Sequence, residues 1–269
     1  GNGTLKVTGG INNGIHTKKN LVIEKGTLEV RALNHGIKGT DSVTIKGGSF
    51  FLFCGGKGVL SDTRLAFLDG DLEVAASYEG MEANQILISG GKIDIAARDD
   101  GINANGEPAP PENQSDANQD AALPNLVISG GEIHINAKGD GLDSNGNIYI
   151  EGGTTLIDGP ESDKDGPLDY GYENGGVCMI SGGTVLAIGS SGMAQTFGES
   201  SSQYSFLYIL DSPYKAGSRI RIYDQADHIL FEHTTIKKGA SVVFSSPKLK
   251  KGEICILEIG DQRFPVAIE

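Results

Sequence analysis

Three segments, YEGME (78–82), DDGIN (99–103) and GDGLD (139–143), align on their central glycine. The alignment places Glu79, Asp100 and Asp140 just before that glycine, and Glu82, Asn103 and Asp143 two residues after it. Asp165, before Gly166, extends the first column past an insertion. All of these side chains offer oxygen, and no His or Cys accompanies them, which is a donor set for a hard cation such as calcium rather than for zinc. If the segments stack, neighbouring carboxylates lie ~5 Å apart and repel by roughly 0.8 kcal/mol in water, several times more at an effective dielectric of about 20. Protonation, splaying into water or a bound cation would relieve that repulsion, and calcium, which takes six to eight oxygen ligands, suits the third case. Asp or Asn before Gly is also ordinary turn chemistry. That accounts for Asp100 and Asp140 but not for Glu79 and Glu82. In the earlier segments NNGIH, NHGIK and GKGVL the same positions hold Asn13, His35 and Lys57, then His16, Lys38 and Leu60. Calcium is therefore not expected before Glu79. Neither an EF-hand loop nor the nine-residue calcium repeat is present.

Beside this corner, Arg98 and Lys138 each stand three residues before the aligned glycine. A lyase that removes the C5 proton of a uronate made acidic by calcium needs such a base within hydrogen-bond reach. The plainer role for Arg98 is a salt bridge that neutralises the acidic column, and Lys164 lies in the nearby insertion. Tyr170 and Tyr172, in the same insertion, offer ring faces to a sugar or simply pack their loop.

A repeat must position these residues. Gly26, Gly48, Gly70 and Gly91 are 22, 22 and 21 residues apart, and Gly131 and Gly153 are again 22 apart. An apolar pair precedes each, as in Leu21/Ile23, Val43/Ile45 and Ile86/Ile88, and an alternating strand follows, as in Leu28/Val30, Phe50/Leu52 and Ile93/Ile95. A second glycine comes ten residues later (Gly36, Gly58, Gly80, Gly101, Gly141), with one apolar residue after it. Three short strands and three bends per repeat describe a parallel β-helix, whose turns stack about 4.8 Å apart. The period is too short for a propeller blade, and the helix and Asn ladder of leucine-rich repeats are missing. The predicted β-helix spans 1–203, with insertions at 106–124 and 158–176. Residues 204–269 (SFLYIL, RIRIYD, HILFEH, SVVFSS, EICILEI) read as a small antiparallel sheet. It is expected to cap an end that would otherwise expose core and unpaired backbone.

Composition agrees. Gly is 40 of 269 residues, about twice the usual share of roughly 7%. A net charge of −13 argues against nucleic acid and against anionic membrane surfaces, and it favours an acidic ligand only through bridging cations. Cys54, Cys178 and Cys255 sit singly among apolar residues and are expected to be buried free thiols. No apolar run is long enough to span a membrane. The strand pattern is already under way at Leu5, so a leader or anchor is expected to have been removed.

The recurring I-S-G-G-x-I-x-I strands, together with YEGMEAN, DDGINANG, GDGLDSNG and SVVFSSPKLKKGE, resemble a family of bacterial surface carbohydrate-binding β-helix proteins. The likeness runs from about residue 21 to the end and is strongest over 77–84, 97–106 and 241–252. It implies a right-handed, pectate-lyase-like coil that carries calcium. It also implies an extracellular or cell-surface location and binding of plant cell-wall polysaccharide, acidic sugars included. It does not imply lyase activity. The family's acidic pattern carries over at Glu79, Glu82, Asp100, Asn103, Asp140 and Asp143, and it is lost in the first three segments.

Three functions fit these residues. The chain is expected to act as a monomeric, calcium-dependent polysaccharide-binding module, in which bound cations turn an acidic edge into a receptor for uronates. The alternatives are a calcium-dependent pectate lyase using Arg98 or Lys138, and a surface stalk or adhesin that calcium merely stabilises.

Overall fold

The computed structural model describes residues 3–9, 12–105 and 123–269, and among them the chain is a β-solenoid without α-helix. Most of the 106–124 insertion lies outside the described residues. Three sheets run along the solenoid. The long sheet carries the strands of five to seven residues after each first glycine, such as Thr27–Ala32, Ser49–Cys54 and Lys92–Ala97. The second sheet is made of three-residue strands: Ile15–Thr17, Ile37–Gly39, Val59–Ser61, Met81–Ala83, Ile102–Ala104, Leu142–Ser144 and Leu168–Tyr170. The third holds the strands of three or four residues before each first glycine, such as Gln85–Ile88 and Asn125–Ile128.

Register follows the repeat. Leu28, Phe50, Leu72, Ile93 and Ile133 are successive partners in the long sheet. Val43, Leu65, Ile86, Leu126 and Ile148 are partners in the third. Alternation sends these side chains inward, where each fully buried Leu, Ile or Phe contributes about 1.5–3 kcal/mol. The three cysteines are buried and unbonded.

The two glycine columns have different causes. Gly26, Gly48, Gly70, Gly91, Gly131, Gly153 and Gly183 all lie at positive φ, between 76° and 127°, where a side chain is strained. The second glycines are instead short of room. A Cβ on Gly36 would stand 2.6 Å from the Gly58 carbonyl, and one on Gly58 would stand 2.5 Å from that of Gly80. There the rungs touch backbone to backbone.

The C-terminal segment does two things. Strands Ser205–Tyr214 and Gly239–Ser245 add to the long sheet beyond its last parallel strand, Thr184–Gly189, and run antiparallel to their neighbours. Strands Arg219–Tyr223, Ile229–Thr234, Ile254–Ile259 and Gln262–Ala267 form a separate four-stranded antiparallel sheet. That sheet does not simply sit over the end. Thr184–Gly189 is buried on both sides, with Val185 and Ala187 in the solenoid core and Leu186 and Ile188 in a second core with Phe206, Ile222, Phe244 and Leu257. The appended sheet thus covers the outer face of the long sheet's last strands.

Candidate functional site

The outward position of the second sheet forms one continuous column. His16, Lys38, Leu60, Glu82, Asn103, Asp143 and Asp169 are successive partners. Beside it, in the bend that feeds each three-residue strand, lie His35, Lys57, Glu79, Asp100 and Asp140. Backbone bonds from Gly36 to Lys57, Gly58 to Glu79, Gly80 to Asp100 and Gly101 to Asp140 fix that order. Asp165 is one residue out of step. The rung-to-rung bonds run from Gly141 to Gly166 and from Leu142 to Pro167, so Gly166, not Asp165, takes the place above Asp140. Pro167 replaces the second glycine of that rung, which is why alignment on Gly166 misplaces the acid.

The two columns bring carboxylates together in two groups that share Asp100. Ligand oxygens of Glu79, Asp99 and Asp100 lie within 4.8 Å of one another, as do those of Asp100, Asp140 and Asp143. Asp99 and Asp169 belong to the arrangement although the alignment singled out neither. Their signals were present, in the doubled acid of DDG and in the match of LDY to LDS (168–170 and 142–144). Backbone and side-chain bonds hold the bends: Asp140 N–H donates to Asp100 Oδ1 at 2.8 Å, and Gly166 N–H to Asp140 Oδ1 at 2.6 Å. Asn103 Nδ2 donates to Asp100 Oδ2 at 3.0 Å, yet Asn103 Oδ1 and Glu79 Oε2 are buried without a partner. A buried carbonyl or carboxylate oxygen left bare is costly, and a cation would satisfy it.

Glu79 and Glu82 already have a counterion. The Lys57 ammonium, from the rung below, pairs with both. Burial lowers the proton affinity of Lys57, but the two glutamates more than offset it and its pKa rises. Burial and the neighbouring Glu82 raise Glu79. Burial would also raise Glu82, but hydrogen bonds from Glu79 and Lys57 hold it below the ordinary range. Lys57 thus pairs with Glu79 Oε1 and Glu82 Oε2, and Glu79 is at the same time a member of the first carboxylate group. No such cation pairs with the higher rungs among the described residues. Burial pushes Asp100 up to about 6, Asp140 to about 7 and Asp143 to about 8, with mutual repulsion adding to each, and Asp169 also moves up by burial. Uncompensated, crowded acids of this kind keep their protons near neutrality.

Arg98 does not neutralise the column. Its guanidinium donates to the Ser77 and Gly55 carbonyls, at 3.3 and 2.6 Å, and pairs with no described carboxylate. Arg98 and Lys138 instead line one groove of about 590 Å³ on the outer face of the long sheet, over Ala75, Ala76, Ala96 and Asn136. Lys164 is exposed and is not among its lining residues. Tyr170 packs against the solenoid core, while Tyr172 is 74% exposed and meets it edge-on, ring centroids 6.3 Å apart.

A family model for carbohydrate-binding domain-containing proteins matches residues 1–166 and, in an overlapping second match, 56–194. The chain belongs to this family. Searches of curated proteins and of solved structures return no match. The carboxylate corner lies within the matched residues, as does the solenoid side of the groove, whereas the groove's Ile236 and Lys237 lie beyond them. The four-stranded sheet also lies beyond them. Among the described residues no helix is long and apolar enough to cross a membrane.

Proposed function

We propose that this carbohydrate-binding domain grips an acidic polysaccharide of the polygalacturonate type through calcium held at the carboxylate corner, outside the cell. The observation that carries the reading is the cluster of Asp100, Asp140 and Asp143 beside the bare Oδ1 of Asn103, with Glu79 and Asp99 completing a second group. All these donors are oxygen, which suits calcium. Asp169, the next residue of the outward column, is a further candidate ligand. Calcium supplies positive charge at a site whose own side chains repel a uronate, and spare coordination positions to receive the sugar's carboxylate. The residues of the chain fix the cluster: the bends are pinned by Asp140 and Gly166 N–H groups, and Lys57 supplies a counterion to Glu79 and Glu82.

The test is calorimetric titration of polygalacturonate into metal-stripped protein, with and without calcium, while monitoring ultraviolet absorbance for unsaturated product. Binding only with calcium, weakened by Asp140→Ala, supports the reading. Product formation moves the domain to the lyases. Calcium that raises the melting temperature with no polymer bound leaves only a stabilised stalk.

A further inference from the structure

The groove on the long sheet is walled on one side by the C-terminal hairpin, and one contact fixes where that hairpin sits. Asp158, 1% exposed, closes a long-sheet strand. Its carboxylate faces the Nε2 atoms of His134, at 3.1 Å, and His233, at 3.0 Å, and accepts the Ile236 N–H at 3.2 Å. His134 belongs to the solenoid, and His233 and Ile236 to the hairpin and its exit. Three hydrogen bonds to one buried carboxylate thus clasp the two parts together, and hydrogen bonds to a charged group are the strong ones. Burial opposes it, but the two histidines hold Asp158 well below the ordinary carboxylate range. The Asp158 hydrogen bond, aided by Asp94 on the far side, raises His134.

The residue after Ile236 is Lys237. Its ammonium donates to the Ala137 carbonyl and lines the groove with Arg98 and Lys138. An ammonium has three N–H donors, so two remain for a ligand. None of the three cations is paired with a carboxylate among the described residues, whereas Glu161 is the groove's single acidic lining residue. In a chain of net charge −13, a pocket with three basic groups and one acid is a local reversal of sign. Its small outer-face residues, Ala75, Ala76 and Ala96, leave the sheet surface open to the face of a sugar ring.

We propose that this groove seats an acid-bearing sugar unit, that Lys237 contacts its carboxylate, and that the His134–Asp158–His233 clasp is the positioning device for Lys237. The inference rests on the polysaccharide reading above and adds to it a second, cation-lined contact independent of the carboxylate corner. Burial brings Lys237 down to about 8, against the opposing pull of Asp158 and Glu161 and with Lys138 adding to the fall. At neutral pH the ammonium is still charged, with a larger neutral fraction than a surface lysine has.

The experiment compares calcium-loaded wild type, Lys237→Gln, Lys237→Arg and Asp158→Asn for binding to polygalacturonate and to its fully methyl-esterified form. Amine labelling of position 237 is followed by mass spectrometry in parallel. Lys237→Gln is expected to bind the acidic polymer about tenfold more weakly, the loss of one hydrogen bond to a charged group, and the esterified polymer as wild type does. Lys237→Arg restores binding, polygalacturonate protects Lys237 from labelling, and Asp158→Asn both speeds labelling and weakens acidic binding. Unchanged acidic binding by Lys237→Gln, or equal loss on both polymers, overturns the role of Lys237. Normal binding by Asp158→Asn overturns the clasp. If wild type binds neither polymer, the polysaccharide reading has failed and the groove assignment falls with it.

Discussion

Calcium uptake at the corner is expected to expel protons, and the structure sets how many. With Asp143 at about 8, Asp140 at about 7 and Asp100 at about 6, about nine-tenths, a half and a tenth of a proton sit on the three acids at pH 7. A cation that needs all three ionised releases about 1.5 protons there, about 2.4 at pH 6 and about 0.6 at pH 8. Apparent calcium affinity then rises on the order of a thousandfold from pH 6 to pH 8 and flattens above it. Calorimetry in buffers of differing ionisation enthalpy reads the proton count directly. Affinity independent of pH, with no proton release, would refute both the perturbed acids and their place around the ion. Asp143→Asn, which removes the most protonated acid, should lower the count at pH 7 by nearly one.

Metal-free protein should melt at a higher temperature at pH 5 than at pH 8, because acids with raised folded pKa stabilise below their unfolded values and lose that contribution as pH rises through 6 to 8. Calcium should reverse the order, and scanning calorimetry with chelator or calcium checks it. Lys57→Met leaves Glu79 and Glu82 buried against each other and is expected to cost about 3 kcal/mol in urea unfolding. Gly58→Ala forces a Cβ to 2.5 Å from the Gly80 carbonyl and 2.8 Å from Val74, and should cost about 3 kcal/mol or yield insoluble protein. Cys54, pushed by burial to about 11, and Cys178, raised further by burial, should resist alkylation until the chain unfolds.

The solenoid was legible because its physics is periodic. Positive φ at Gly26, Gly48 and Gly70 and crowding at Gly36 and Gly58 recur every turn, so each leaves the same residue at the same spacing. The sign change of the corner, from Lys57 to Glu79, was equally visible, although its meaning as an internal ion pair needed the rungs placed side by side. Asp165 was misassigned because an insertion shifts register by one residue and Pro167 stands where a glycine was expected. Asp158 and Lys237 left no pattern at all. Their partners, His233 and Ala137, lie 75 and 100 residues away, and contacts across that distance arise only when the C-terminal hairpin folds back over the long sheet. The same fold-back explains why 204–269 covers a face and not just an end.

Charge along the corner is sorted by height. Lys38 is matched by Asp62 and Lys57 by two glutamates, so the lower rungs are close to neutral, while Asp100, Asp140, Asp143 and Asp169 above them have no cation among the described residues. Lys38 and Asp169 are five rungs apart, about 24 Å at ordinary strand spacing. That distance exceeds the Debye length at physiological salt, about 8 Å, so a polyanion near one end does not feel the other. The molecule therefore has a front and a back. A negatively charged fibre would meet repulsion at the upper rungs and less of it at the lower ones, and cations bound above would reduce the difference. On the proposed reading, calcium bound there would govern the direction of approach as well as the grip.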